Sequence, residues 1–411
     1  MPDPLGYSIF LEPTDAVRAF EARGELKPTV RWSEMMHENH ASAFTVAKIA
    51  RLDLLRAVQA SLDEQIRDGG SFDRWKAAIL PELQRAGWWG AVQDRELTGT
   101  DERIVVNERR LRVIYNTNIR MSLAAGHWAR IQRQKAAFPY LRYVPSTSER
   151  KRQLHIPWYG IILPVDHPWW QTHFPPNGWG CKCGFEQVTQ RRLERMGWSI
   201  TPDDQLPPGN PTTFVAATGR EVRVPAGIDP GFSYNPGTAH LRVMADRAAA
   251  SIVAAADAGL DAAARQTLRE IVDDAAFEQF LALPEASFPV ALLTAEQQAL
   301  IAAKARLVVL PTGVYRKQLG EAPEISRGHP ELTVANYRLL PDIVDRAIVI
   351  AQQGDSRLIY FADEGGRLWK VVVRQDAGEP LPAVVSFHAS RPRNIAGETR
   401  NLTILLDRRG T

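Results

Sequence analysis

Between positions 155 and 183 the chain gathers His155, His167, His173, Cys181 and Cys183, which is three of its nine histidines and both of its cysteines. Zinc takes thiolate and imidazole ligands in a tetrahedral set of four. Two cysteines and two histidines are enough for such a site, and the expected set is His155, His173, Cys181 and Cys183, with His167 as the substitute. Four protein ligands leave no open corner for water, so the expected zinc is structural, not catalytic. The loop around these residues is dense in Pro, Gly and Trp, offers few regular backbone hydrogen bonds, and suits a metal staple in place of a core. The Cys-x-Cys spacing is tighter than the usual zinc-ligand spacing, so the pattern also admits two buried thiols and surface histidines. A disulfide between Cys181 and Cys183 would close a very small, strained ring. The chain has no HExxH and no well-placed carboxylate ligand, which argues against a zinc hydrolase.

A second group of chemically capable residues lies near the C-terminus. Metal-free RNA cleavage needs a base for the 2′-hydroxyl proton, an acid for the leaving 5′-oxygen and cations for the phosphorane charge. His329 and His388 can serve as base and acid, since imidazole titrates near neutrality. Lys370 is the expected transition-state cation, with Arg374, Arg391 and Arg393 nearby, and Ser386 a phosphate contact beside His388. The same residues also fit a silent binding module: His329 precedes Pro330 at a helix start, and His388 closes a strand.

The elements that must position these groups follow from hydrophobic spacing. Phe44, Val46, Ile49, Leu52, Leu55, Val58 and Leu62 recur close to the helical period, predicting a helix over 41–68 stopped by Gly69-Gly70. Ser71 or Asp73 caps the next helix, which ends near the Gly87–Gly90 turn. Residues 101–137 read as one long helix with a basic face, ended by Phe138-Pro139. Short strands are expected at 140–144 and 160–164, and a helix at 187–196 stopped by Gly197. The stretch 201–238 is rich in Pro and Gly and reads as a linker or arm. Ala-rich helices follow over about 239–285. Beyond Leu293 the pattern is a helix at 294–305, strand at 307–309 and 314, a helix at 332–347 with a Pro341 kink, then strands at 358–361, 369–373, 383–388 and 401–406.

The chain has 411 residues, 45% hydrophobic and 24% charged. That composition is ordinary for a globular protein and leaves room for two or three domains. No run approaches a membrane span, and the start MPDPLGYSIF lacks a secretory pattern. The expectation is therefore a protein kept in a cytoplasm, without membrane partners. Net charge is only +3, but residues 101–152 hold 12 Lys/Arg and 4 Asp/Glu, a local excess of 12 − 4 = +8. Such a stripe can meet a phosphate backbone. It also fits a solvated helix face or an acidic partner.

Several separated motifs resemble the phage Mu protein F-like family. FPPNGWGCKC (Phe174–Cys183) is preceded by DHPWWQTH (Asp166–His173) and RKRQLH (Arg150–His155). ENHASAFTVAKIARLDLL (Glu38–Leu55), GWWG (87–90), RVIYNTNIRMSLAAGHW (Arg112–Trp128) and IDPGFSYNPG (Ile228–Gly237) occur in the same order as in the family. The resemblance covers about residues 10–245. It implies a minor head protein of a tailed, double-stranded DNA bacteriophage, present in few copies near the portal vertex and acting in head morphogenesis. It further implies ejection with the DNA in some cases. The family's His and Cys-x-Cys positions match His155, Cys181 and Cys183, which strengthens the zinc reading. One departure is Lys182, where arginine is more usual; the charge stays but the planar fork is lost. ISRGHPELTVANYRLLPDIV (Ile325–Val344) resembles the small nuclease-like modules appended to such proteins, of the barnase, EndoU, colicin and RelE type.

These readings together predict an α+β protein. A mostly helical region (1–100) precedes a core with the basic helix and Cys/His loop (101–200). A Pro/Gly arm with Ala-rich helices (201–287) and an α+β module with an antiparallel sheet (288–411) complete it. Expected partners are portal, scaffold and major capsid proteins, packaged DNA at 101–152, and RNA at the C-terminal module. Expected locations are the interior of the virion head and the host cytoplasm during assembly. The alternative is a toxin-like ribonuclease delivered by the capsid. Trp158, Trp169, Trp170 and Trp179 fit either protein–protein contacts or the core of an irregular loop.

Overall fold

A computed structural model describes residues 14–283, 285–318, 329 and 332–409. The chain divides into two compact units, Met1–Val243 and Met244–Thr411. It is an α+β protein, with helices and several small sheets in the first unit and one large sheet in the second.

In the first unit, helices Leu52–Asp68 and Phe72–Arg85 form a hairpin. Gly69 closes the first helix in the left-handed conformation (φ 64°), which L side chains resist. The Ser71 side chain accepts from Arg74 N and starts the second. The predicted helix over 41–68 begins eleven residues late, because Ala43–Phe44 is extended and pairs with Glu25–Leu26. Leu55, Val58, Leu62, Trp75, Ile79 and Leu83 then face one core.

The long basic helix is Glu108–Gln134, capped by Asn107, whose side chain accepts from Arg110 N. It does not start at 101: Ile104–Val106 is a strand paired with Gly90–Val92. The helix is a spine, not a solvated stripe. Its first turns place Leu111, Ile114 and Tyr115 in the core under the helical hairpin. Its later turns place Met121, Ala124, Trp128 and Ile131 in a second core. Several arginines of 101–152 bind within the chain: Arg110 to Ala47 O, Arg112 to Glu108, Arg120 to Cys181 O, Arg133 to Asp15 and Arg152 to Asp229.

The second core is covered by a three-stranded antiparallel sheet in the order Ile162–Pro164, Tyr140–Val144, Gly184–Val188. The last strand was not foreseen, since its Gly start and mixed polarity carry no clear period. It displaces the predicted 187–196 helix to Gln190–Met196, where Thr189 caps it and Gly197 (φ 65°) ends it. The Pro/Gly arm also contains an unforeseen hairpin, Thr212–Val215 with Glu221–Val224. Trp158 and Trp170 are fully buried, so burial explains them; Trp179 stays 38% exposed.

The second unit has a seven-stranded sheet. Its order is Ser287–Leu292, Leu307–Pro311, Ala383–Ala389, Arg367–Arg374, Arg357–Glu364, Val349–Gln353, Thr403–Asp407. All neighbours are antiparallel except Leu307–Pro311 and Ala383–Ala389, which run parallel. The strands at 287–292 and 349–353 went unread because each is a short apolar run beside a helical pattern. Val314 was read as strand but lies in helix Thr312–Gln318. The unit begins at Met244, not near 288, because helix Asp261–Asp273 is bolted to the sheet unit. Arg265 and Arg269 pair with Asp345, Arg269 with Asp342, and Arg306 with Asp261. No described helix is long and apolar enough to cross a membrane.

Candidate metal centre and a second histidine pair

His155, Cys181 and Cys183 come together in the first unit. Their ligand atoms lie within 4.8 Å of one another, and all three residues are buried. The positioning is local. His155 lies in the single-turn segment Gln153–Trp158, stacked on Trp158 with ring centroids 4.3 Å apart. The two cysteines flank exposed Lys182, so an extended Cys-x-Cys turns both sulfurs inward.

His155 Nε2 is 2.7 Å from Gly227 O. A carbonyl only accepts, so Nε2 carries the proton and Nδ1 presents its lone pair. That lone pair faces Cys183 Sγ at 3.4 Å and Cys181 Sγ at 3.8 Å. Zinc–sulfur and zinc–nitrogen bonds at a tetrahedral angle put sulfur and nitrogen about 3.6 Å apart, so the observed separations fit three corners of such a site. The Cys181 thiol is lowered to about 4, first by the hydrogen bond from Cys183, while burial opposes the shift. The same bond pushes the Cys183 thiol up.

An outer ring of polar contacts holds this loop. Arg152 makes a bidentate pair with Asp229 at 2.6 and 2.8 Å. Asp229 Oδ2 also accepts from Trp179 N, and Arg152 donates to Trp179 O. Asp229 N donates to Asn177 O, and Tyr143 OH to Asn177 Oδ1. Arg120 Nη1 donates to Cys181 O at 2.8 Å, which ties the loop to the long helix. Gly227 (φ 86°) lies where an added Cβ would meet the Trp158 ring at 2.8 Å.

The other two expected histidines are placed differently. His173 is stacked on Trp169 at 4.3 Å, with Nδ1 2.8 Å from Thr172 Oγ1 and 3.3 Å from Trp169 O. Burial lowers its pKa to about 4, so it is neutral. It is outside the three-residue group. His167 uses both ring nitrogens, Nε2 towards Asp203 Oδ1 and Nδ1 accepting from Trp169 N. The supporting residues Arg152, Gly227 and Asp229 were missed as site residues. Arg152 and Asp229 nevertheless sit inside RKRQLH and IDPGFSYNPG, the motifs already singled out.

In the second unit, the His329 and His388 rings stack with centroids 5.2 Å apart and planes 6° from parallel. Ser386 Oγ is 3.4 Å from His388 Nδ1. Lys370 is the cross-strand partner of His388, so the two share a face of the sheet. All four residues expected from the sequence therefore fall in one neighbourhood. Lys370 is ion-paired with Glu398, and Arg374 with Asp376; Arg391 and Arg393 are exposed. Positions 319–328, 330 and 331, which hold much of the first half of the Ile325–Val344 motif, lie outside the described residues.

The first unit is thus an α+β head-to-loop assembly closed around a buried Cys2His group. Residues 56–186 match the family described as Phage Mu protein F like protein. The chain is 32% identical over 248 residues to a putative capsid assembly protein F of Escherichia phage Mu, covering 57% of this chain and 56% of that one. It is 32% identical over 176 residues to a Mu-like prophage FluMu F protein of Haemophilus influenzae, covering 43% and 42%. The chain spans about half the length of the curated relatives it matches. No solved structure matches it. His155, Cys181 and Cys183 all lie inside the stretch, residues 56–186, that is similar to the Phage Mu protein F-like family.

Proposed function

We propose that this protein acts in head morphogenesis of a tailed, double-stranded DNA bacteriophage as a minor head protein. In this reading it works near the portal, with portal, scaffold and major capsid proteins as partners. It resides in the virion head and, during assembly, in the host cytoplasm, and it leaves with the DNA. The observation that carries the reading is the 32% identity over 248 residues to a relative named as a capsid assembly protein. Protein partners are favoured over packaged DNA at 101–152, because five arginines of that segment already bind within the chain. Mass spectrometry of purified procapsids and virions should find the protein in low copy. Its absence from both would overturn the reading.

The Cys2His group holds a zinc through His155 Nδ1, Cys181 Sγ and Cys183 Sγ; with His173 outside the group, the fourth tetrahedral position falls to a ligand other than the four expected. Bound there, the ion supplies a cross-link between two segments of an irregular loop. The donor set supports this: two sulfurs and a nitrogen at zinc-like separations, with the imidazole tautomer set by Gly227 O. Purified protein should contain about one equivalent of zinc, lost on the Cys181→Ser, Cys183→Ser double change. Well-folded protein without zinc would end the idea.

A second reading concerns the C-terminal unit as a capsid-delivered ribonuclease. It is favoured by the stacked His329–His388 pair with Ser386 and Lys370 on the same neighbourhood. His329 and His388 would exchange base and acid roles, and Lys370 would meet the phosphorane after leaving Glu398. RNA cleavage by the full chain, abolished by either His→Ala change, supports it. Absence of cleavage leaves this unit a binding module.

A further inference from the structure

A cavity of about 460 Å³ lies in the first unit, and its lining among the described residues includes Arg23, Arg109 and Arg110 but no Asp or Glu. Arg23 is only 7% exposed. Its guanidinium donates to neutral partners, Asn118 Oδ1 at 2.9 Å and Ser122 Oγ at 3.3 Å, and its buried Nε has no partner. Arg110 gives one nitrogen to Ala47 O and lies over the Trp88 ring, and its Nε is likewise buried without a partner. Burial lowers the pKa of both arginines, and Tyr234 opposes the shift of Arg23. A guanidinium taken from water without a counter-charge is unfavourable. An incoming carboxylate supplies that charge in the planar, two-bond geometry that arginine favours.

The rest of the lining indicates what carries the carboxylate. Val105 is 60% exposed, Val113 43% and Trp179 38%, so large apolar side chains face solvent beside the arginines. No lysine lines the cavity. Sites for single-stranded nucleic acid instead set many cations along a groove with stacked aromatics. A rim of valines and Trp179 around exposed Arg109 and the more buried Arg23 and Arg110 matches a peptide with one acidic side chain between apolar ones.

We propose that this cavity receives an acidic, aliphatic segment of a partner protein, its Asp or Glu carboxylate meeting the Arg23, Arg109 and Arg110 wall and its apolar neighbours covering Val105 and Val113. The site stands apart from the head-protein reading and rests on the cavity alone. It is tested by fluorescence anisotropy on the full chain with three labelled probes. One is a pool of hexapeptides with Asp or Glu at the centre and Leu, Val, Ile or Phe around it. The second is the same pool with Asn or Gln at the centre, and the third is a ten-nucleotide oligo-dT. The acidic pool should bind at least about 10-fold more tightly than the amide pool, the scale of one charge-assisted pair. Arg23→Gln should remove that preference. Val113→Glu, at an exposed helix position, should weaken the acidic pool about 10-fold with the melting temperature unchanged, so the test survives if the Arg23 variant does not fold. Equal binding of both pools, binding of neither, or preference for oligo-dT would overturn the proposal.

Discussion

The two candidate sites rest on opposite kinds of support. His155, Cys181 and Cys183 are brought together by loops, and what fixes them is a set of specific contacts from Arg152, Asn177, Gly227 and Asp229. His388, Ser386 and Lys370 stand on paired strands of a seven-stranded sheet, where the backbone ladder sets their spacing. A loop site depends on its own ligands and outer contacts for its shape. A sheet site keeps its shape when its functional groups are removed. The difference predicts which substitutions cost stability and which cost only chemistry.

The largest effect should come from removing the metal. Chelation, or the Cys181→Ser, Cys183→Ser change, should lower the melting transition of the first unit by more than about 10 °C, since structural zinc contributes several kcal/mol. The transition of the second unit should not move, and calorimetry would separate the two. An unchanged first transition would break the comparison, because the loop would then hold itself.

Gly227→Ala comes next. It forces a Cβ into the Trp158 ring at a left-handed backbone position, and should cost about 2–4 kcal/mol in urea unfolding. Asp229→Asn weakens a partly exposed bidentate pair and should cost about 1 kcal/mol by the same measurement. A cost near zero for both would mean that the outer contacts do not support the centre. On the sheet, His329→Ala and His388→Ala should change stability by less than about 1 kcal/mol. A larger loss would show that the stacked pair is structural.

A separate effect concerns pH. His40 is lowered from the usual imidazole value to about 4, mainly by burial. Below about pH 6.5 the unfolded chain binds a proton that the folded chain refuses, so stability falls as pH drops from 6.5 towards 4. Stability is full above that window and flat beneath it. His40→Gln should flatten the urea midpoint between pH 6.5 and 4; an unaltered slope would assign the dependence to other histidines.

Much of this was legible beforehand. The helical hairpin followed from apolar spacing with Gly69 and Ser71 as stop and start, because caps and periodicity act over a few residues. The clustering of His155, Cys181 and Cys183 was legible from residue type and crowding, and five of the seven strands of the sheet from apolar and β-branched runs. The strand at 184–188 and the hairpin at 212–224 were not, since pairing partners rather than local preference make them strands. The basic face of the long helix admitted a phosphate backbone, a solvated face or an acidic partner, and only packing reveals that Arg120 reaches Cys181 O and Arg110 reaches Ala47 O.

Sequence by itself determined which residues can bind a metal or move a proton, where several helices begin and end, and a similarity to the Phage Mu protein F-like family over 56–186. Tertiary structure decided how the expected ligands are arranged. The sequence joins His173 to His155 and the cysteines, but the folded chain stacks His173 on Trp169, outside the three-residue group. The orientation of His155 falls to Gly227, more than seventy residues away, whose carbonyl accepts from Nε2 and leaves Nδ1 towards the sulfurs. Hydrogen bonds between distant segments carry no local signature, so only the folded chain displays them.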